Sequence, residues 1–325
     1  MRALSPPAWS ASMLATIAIC TRDRAPLLIR CLDALSSMRV PARIQWEVLV
    51  IDNASSDGTA GVVESYADRL PVRAAVEAQP GVSHARNRAV AEALGTYICW
   101  LDDDALVDPQ WLASYACAFA RWPDDVVFGG PIEVLFDVPL PEWFRRVLPR
   151  IASIFGSRDL GPEFVPLAAH EARIPFGANF VTRAAEQRRY VFDTNLGRHP
   201  EHPGRGSEET EMMMMMLAAG HSGRWVPGAR VRHIKGDERI NLEFLDAHLA
   251  SYGEYRARRE SPWGPRVGGA PLGAWTRVAS AVVRYEVARR MQPPERWIEY
   301  FIEASEARGG LRGHRNGARP RDVQR

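Results

Sequence analysis

The feature that most restricts this chain is the alternation, through its first half, of short apolar runs with segments patterned like helices. LATIAI (14–19), WEVLVID (46–52), VRAAVE (72–77) and TYICWL (96–101) have strand length and strand composition. Between them lie RAPLLIRCLDALSSM (24–38), starting near Pro26, AGVVESYADRL (60–70), and GVSHARNRAVAEALG (81–95), whose end is marked by Gly95. Strands that alternate with helices predict repeated βα units, so the expected class is α/β, a mixed and mostly parallel sheet flanked by helices.

Further along, PQWLASYACAFARW (109–122) and SEETEMMMMMLAAG (207–220) read as helices, and VVFGGPIEV (126–134) and GANFVTR (177–183) as strands. RWVPGARVRHIKG (224–236) reads as a last strand and loop. The proline-rich residues 135–175 read as an irregular excursion over the site. From Leu242 the patterns are helical, and GGLRGHRNGARPRDVQR reads as disordered. The expected division is an N-terminal extension (1–13), an α/β domain (14–240, in halves 14–134 and 135–240), a helical extension (241–308) and a basic tail (309–325).

Composition excludes some roles. Lys plus Arg (41) nearly balances Asp plus Glu (39), so no nucleic-acid partner is expected, and the basic excess gathers after about Arg256. Cys20, Cys31, Cys99 and Cys117 lack zinc-type spacing and read as reduced thiols of a cytoplasmic protein. No run approaches the roughly 18 apolar residues that span a bilayer. Cleaving the weak signal-like ASMLATIAIC would remove the first strand.

Against this background YICWLDDDALVDPQW (97–111) stands out. Asp102, Asp103 and Asp104 fall at the carboxyl end of a buried strand, where charge is costly unless compensated. A solvated turn, a helix N-cap and a metal site are the three readings. Asp108 already caps the helix that follows, and hard ions such as Mg²⁺ or Mn²⁺ favour carboxylate oxygens. Asp52, before the turn NASSDGT, lies at the same sheet edge, which in open α/β sheets is where ligands bind. The run Met212–Met216 points all round a helix and reads as core, not as a soft-metal site.

Six segments, ICTRDRAPLLIRCLDAL, VLVIDNASSDGT, GVSHARNRAV, WLDDDALVDPQWL, GANF and GSEETEM, resemble in order and spacing the motifs of family 2 glycosyltransferases over roughly residues 14–240. The resemblance implies the Rossmann-like GT-A fold, followed here by a C-terminal helical extension. It also implies inverting transfer of a sugar from a nucleotide donor to a hydroxyl, usually with Mg²⁺ or Mn²⁺. By position, Thr21, Arg22 and Asp52 match nucleotide contacts, with Asp52 accepting a hydrogen bond from the base. Arg86 and Asn87 match a pair lining the nucleotide pocket; the alternative is an exposed helix Arg and a loop-facing Asn. The triplet matches the DxD motif, in which Asp102 or Asp103 holds the ribose and Asp104, with Asp102 as a second candidate, ligates the metal.

GSEETEM aligns with the element carrying the catalytic base. Glu209 falls where the family usually has Asp, with Glu208 as fallback; the alternative is an acidic first turn complementing the helix dipole. His233 matches a histidine that contacts metal or pyrophosphate, although a lone His is more often structural. Lys235 and Arg239 are candidates to neutralise diphosphate, and Asn179, in GANF, to touch the acceptor. Trp143, Phe144 and Trp225 read as sugar-stacking or simply core. The implied partners are a nucleotide-sugar donor, a UDP-sugar foremost, and a glycan or lipid-linked acceptor, in bacterial polysaccharide or glycoconjugate synthesis. The Arg-rich C-terminal helices are candidates for peripheral contact with the inner face of the membrane or for packing on a second copy as a homodimer. Competing readings are a nucleotidyltransferase, disfavoured because CTRDRAP has no glycine for a phosphate loop, and a non-catalytic sugar-nucleotide-binding homologue.

Overall fold

The structure is a computed structural model, and it describes residues 13–42, 44–200, 206–259 and 264–316. The chain divides into two compact units, 1–135 with 156–235, and 136–155 with 236–325.

The strands of the first unit are β1 (Met13–Thr21), β2 (Ile44–Asp52), β3 (Val72–Val76), β4 (Tyr97–Asp102), β5 (Ala105–Val107), β6 (Val127–Gly129), β7 (Ile132–Phe136), β8 (Asn179–Arg183), β9 (Gly223–Trp225) and β10 (Val231–Lys235). Along the chain the helices begin α1 (Ala25–Ser36), α2 (Thr59–Glu64), α3 (Val82–Glu92), α4 (Trp111–Arg121), α5 (Glu142–Ile151), α6 (Ala184–Gln187) and α7 (Glu208–Ala218). Seven strands form one sheet in the order β3-β2-β1-β4-β8-β6-β9, in which β8 alone runs against its neighbours. A second, three-stranded sheet has the order β5-β10-β7. This is the mixed, mostly parallel α/β architecture expected.

Strand alternation explains the two-sided core. Ile17, Ile19, Val48 and Val50 share a cluster with Leu28 and Leu32 of α1 and Trp111, Tyr115 and Phe119 of α4. Ala18, Leu49 and Ile51 share the other with Ala85 and Ala89 of α3 and Met212, Met213 and Met216 of α7. Successive strand residues point to opposite faces, so a single apolar run feeds both clusters. The methionines do pack as core, although Met215, on the other side of α7, is exposed. The register sets Thr21 opposite Asp52 and Cys20 opposite Asp102, which gathers the ends of β1, β2 and β4 at one edge.

Several local expectations are corrected. Helix α2 ends at Glu64, short of Leu70. Helix α3 ends at Glu92 with Ala93 already extended, so Gly95 is not its cap. Gly95 lies so close to β1 that an added Cβ would sit 2.5 Å from the Thr16 nitrogen, tighter than atoms can pack. VVFGGPIEV breaks at Gly130–Pro131 into β6 and β7, and RWVPGARVRHIKG breaks into β9 and β10, each pair divided between the two sheets. The N-cap of α4 is Gln110; the Asp108 carboxylate instead accepts the Gln110 N–H at 2.9 Å in the preceding turn.

The second unit is helical, built from α5, α8 (Leu242–Arg259), α9 (Leu272–Met291) and α10 (Pro294–Arg315), with a short hairpin of β11 (Arg266–Val267) and β12 (Ala270–Pro271). The proline-rich excursion is thus partly regular, and Phe136, Phe144 and Phe155 within it form an edge-to-face cluster that Phe244 of α8 extends. The expected disordered tail is helical as far as Arg315; Gly309 and Gly313, one turn apart, give α10 a flat face against the α8 backbone. Residues 317–325 of that tail lie outside the described residues. Among the described residues no helix is long and apolar enough to cross a membrane.

Candidate active site

Strand β4 ends at Asp102, and a two-residue turn, Asp103–Asp104, carries the chain into β5 and the second sheet. There β10 pairs antiparallel with β5, setting His233 opposite Ala105, and the Ile234 N–H donates to the Asp104 carbonyl at 2.8 Å. This pairing delivers the imidazole to the triplet. His233 Nε2 lies 2.7 Å from Asp104 Oδ1 and 3.6 Å from Asp102 Oδ2. Asp102, Asp104 and His233 each offer one ligand atom, all within 4.8 Å of one another.

Asp103 and Asp104 are each only 2% exposed, a burial that requires compensation. Arg24 supplies it with a fork: Nη1 lies 2.6 Å from Asp103 Oδ1 and Nη2 2.7 Å from Asp104 Oδ2. Thr21 Oγ1 donates to Asp103 Oδ2 at 2.8 Å, and Lys235 Nζ lies 3.6 Å from Asp104 Oδ2. The two carboxyls respond differently. Burial pushes Asp103 up to about 7 against the pull of Arg24. For Asp104 burial also opposes ionisation, but His233, Lys235 and Arg24 outweigh it and hold the carboxyl well below its usual range. Burial in turn holds the His233 imidazole below its ordinary value, against the pull of Asp104.

Arg86, on α3, ties this group to the head of α7. Its guanidinium bonds the Glu208 carboxylate and lies 3.5 Å from Glu209 Oε2 and 3.6 Å from Asp102 Oδ1. Burial first, then the neighbouring Glu209 charge, push the Glu208 carboxyl up to about 7, with Arg86 pulling the other way. Its Oε2 is buried with no hydrogen-bond partner among the described residues. Glu209 is the more open of the two, its side chain 19% exposed against 5% for Glu208. Gly177 leaves room beside it; an added Cβ would come within 2.9 Å of Glu209 Oε1.

The other expected residues divide. Thr21 and Asp52 reach the edge, where Thr21 holds Asp103 and Asp52 Oδ1 accepts the Ser55 N–H at 2.9 Å. Arg22 is half-buried there, 3.7 Å from Asp23. Asp103 does not face the crevice as expected: it is buried and gripped by Arg24 and Thr21, whereas the Asp102 side chain is partly exposed. Asn87 is corrected as well, since its amide clamps the Phe192 backbone through both its nitrogen and its oxygen at 2.9 Å.

Asn179 cannot touch an acceptor. It is wholly buried, accepts from Trp111 Nε1 (2.9 Å) and Tyr115 Oη (2.8 Å), and donates to the Pro131 (3.1 Å) and Ala229 (2.7 Å) carbonyls. Trp225 and Phe144 are core, Trp225 donating to the Gly161 carbonyl at 3.1 Å, and neither ring is open to a sugar; Trp143 packs edge-on against Phe144. Arg239 lies in the second unit, 3.2 Å from Glu238 Oε1. The residue that sequence reasoning missed is Arg24. Its signal was available in TRDR, two arginines ending a strand beside the one that carries three aspartates.

The donor set suits a divalent cation. Two carboxylates and an imidazole converge, and His233 reaches them with its Nδ1 buried and unpartnered among the described residues. The four cysteines are free thiols, none of them in this group, and burial pushes Cys20 up to about 12.

Comparison with known proteins identifies the fold and the family. The sequence profile of glycosyl transferase family 2 matches residues 16–182. The chain is 26% identical over 246 residues, 74% of each protein, to the succinoglycan biosynthesis protein ExoM of Rhizobium meliloti. It is 36% identical over 127 residues, 38% of this chain and 30% of the other, to the validoxylamine A glucosyltransferase of Streptomyces hygroscopicus. Among solved structures it resembles the mannosyltransferase PcManGT of Pyrobaculum calidifontis, in complex with GDP-Man and Mn²⁺ (TM-score 0.58, 19% identity, covering 92% of this chain and 86% of that one). It also resembles TarS 1–349 of S. aureus in complex with UDP-GlcNAc (TM-score 0.53, 15% identity, covering 92% and 90%). The mixed sheet is therefore of GT-A type, and this chain belongs to glycosyl transferase family 2.

Proposed function

We propose that this protein is an inverting, metal-dependent glycosyltransferase that moves a sugar from a nucleoside diphosphate donor, a UDP-sugar foremost, to a hydroxyl of a glycan or lipid-linked acceptor. The observation that carries the reading is the Arg86 guanidinium, which touches Asp102 of the ligand group and both glutamates of α7. It supports one continuous site in which a diphosphate and an acceptor hydroxyl meet.

In this reading Asp102, Asp104 and His233 hold Mn²⁺ or Mg²⁺, the imidazole favouring Mn²⁺ because Mg²⁺ prefers oxygen and water. When bound, the ion supplies Lewis-acid stabilisation of charge on the departing diphosphate. Asp102 also faces the ribose, while Thr21, Arg22 and Asp52 line the nucleotide side of the edge. Glu209, the more exposed of the two and free of the tight Arg86 contact that occupies Glu208, takes the proton from the acceptor hydroxyl. The acceptor oxygen forms a bond to the anomeric carbon as the bond from that carbon to the diphosphate oxygen breaks. A single displacement inverts the centre.

Two further elements of the reading concern partners. The likeness to a succinoglycan biosynthesis protein supports a role in polysaccharide assembly. On α9, Leu272, Val283, Val287 and Met291 are exposed near Arg277, Arg284, Arg289 and Arg290, a composition that supports contact with an anionic membrane face in the cytoplasm.

Two assays test the chemistry. Product made from an α-linked donor is expected to show a β linkage by the anomeric proton coupling in NMR, and an α product would remove inversion. Glu209→Gln is expected to keep donor affinity and lose about 10²- to 10⁴-fold in turnover; full activity in that variant would remove the base assignment.

A further inference from the structure

Lys235 stands among the atoms that a metal would use. Its side chain is 2% exposed, with Nζ 2.5 Å from His233 Nε2 and 3.6 Å from Asp104 Oδ2. The strand β10 accounts for the position, because residues two apart on a strand share a face and His233 and Lys235 therefore enter the same crevice.

Hydrogen bonding at His233 Nε2 is over-subscribed. An imidazole nitrogen has one in-plane site, filled either by a proton or by a lone pair. Asp104 Oδ1, 2.7 Å away, requires the proton, whereas the Lys235 ammonium, 2.5 Å away, requires the lone pair. No single tautomer serves both. A divalent cation resolves the conflict, since Nε2 and Asp104 Oδ1 then both present lone pairs to it, but two cations cannot share so small a group of atoms.

We propose that Lys235 is a displaceable counter-cation: it neutralises Asp104 until a divalent ion binds, is then driven off His233 and Asp104, and passes to the diphosphate of the donor. This inference rests on the metal-dependent reading given above and adds a coupling to it. The ion alone binds weakly because it must expel Lys235. A nucleoside diphosphate gives the expelled ammonium a new partner, so ion and nucleotide strengthen one another's binding by equal factors. Arg24, held by both Asp103 and Asp104, stays in place and keeps the turn together through the exchange.

The experiment is a Mn²⁺ titration followed by electron paramagnetic resonance, on the full chain and on Lys235→Met, with and without UDP. Without UDP the variant is expected to bind Mn²⁺ at least about tenfold more tightly than the parent, given the repulsion removed. UDP is expected to tighten Mn²⁺ binding to the parent by about 5- to 150-fold and to the variant by distinctly less. Lys235→Arg, which keeps the charge, is expected to bind as weakly as the parent. Equal or weaker Mn²⁺ affinity in Lys235→Met overturns the role of Lys235 while leaving the metal reading intact. Mn²⁺ bound by neither protein, with or without UDP, overturns both. Should Lys235→Met fail to fold, Lys235→Gln gives the same comparison with a polar head in place of the methyl.

Discussion

Relative to the parent, Glu208→Gln should gain stability as the pH rises, starting from the cost of leaving the buried Arg86 guanidinium without its bonded carboxylate. Glu208 is buried, one carboxylate oxygen has no partner among the described residues, and burial together with Glu209 pushes its carboxyl from an ordinary 4.5 up to about 7. At about 1.4 kcal/mol per pH unit, that gap corresponds to about 3 kcal/mol. Below pH 4.5 the group is protonated in both folded and unfolded chains, so its contribution to stability is fully present. Between 4.5 and about 7 the unfolded chain gives up the proton first, and folding stability falls as the pH rises. Above about 7 the folded chain carries an ionised, half-satisfied carboxylate and the loss is complete. Glutamine keeps the shape and the oxygen facing Arg86, and has no proton to lose. The assay is urea unfolding followed by tryptophan fluorescence at pH 4.5, 6, 7 and 8, roughly spanning the titration. The stability difference between variant and parent should grow by about 3 kcal/mol across that series. A difference that stays flat, or one that moves against the variant as the pH rises, would refute the reasoning.

Asn179→Ala removes four buried hydrogen bonds and strands the Trp111 and Tyr115 donors. It should cost about 3 kcal/mol in chemical unfolding, while the KM for acceptor in whatever folds should not change; a raised acceptor KM would return Asn179 to the acceptor site. Arg24→Met should cost about 3 kcal/mol or more, because buried Asp103 loses its counter-ion and Asp104 keeps only the more distant Lys235 at 3.6 Å. Arg24→Lys should recover less than half of that, since one ammonium cannot replace a fork; full recovery in urea unfolding would mean the bidentate geometry is unimportant.

How far the sequence carries depends on how local the signal is. The βα alternation is local, so the strands from LATIAI to TYICWL, and the common edge at which Asp52 and Asp102 end, are legible from spacing alone. Breaks within an apolar run are harder: Gly130–Pro131 ends one strand and starts another in a different sheet, though the missing N–H of proline was a usable sign. Polar side chains at strand ends are ambiguous for a deeper reason. Asp102 and Asn179 both sit at the sheet edge in sequence. Only the fold shows that Asn179 is closed off by Trp111, Tyr115, Pro131 and Ala229, 48 to 68 residues away. The same holds within the triplet. Three adjacent aspartates look alike until Arg24 and Thr21, 79 and 82 residues earlier, claim Asp103 and leave Asp102 facing outward.

The central claim is that Asp102, Asp104 and His233 hold an ion that binds the donor diphosphate. It is tested most directly by thermal stabilisation with UDP-, GDP- and dTDP-sugars, with and without Mn²⁺, in the parent chain and in Asp104→Asn. The account predicts that at least one donor raises the melting temperature of the parent only when Mn²⁺ is present, and that Asp104→Asn, still folded, loses this response. A folded parent that answers to no donor, or an Asp104→Asn variant that answers as the parent does, would contradict it.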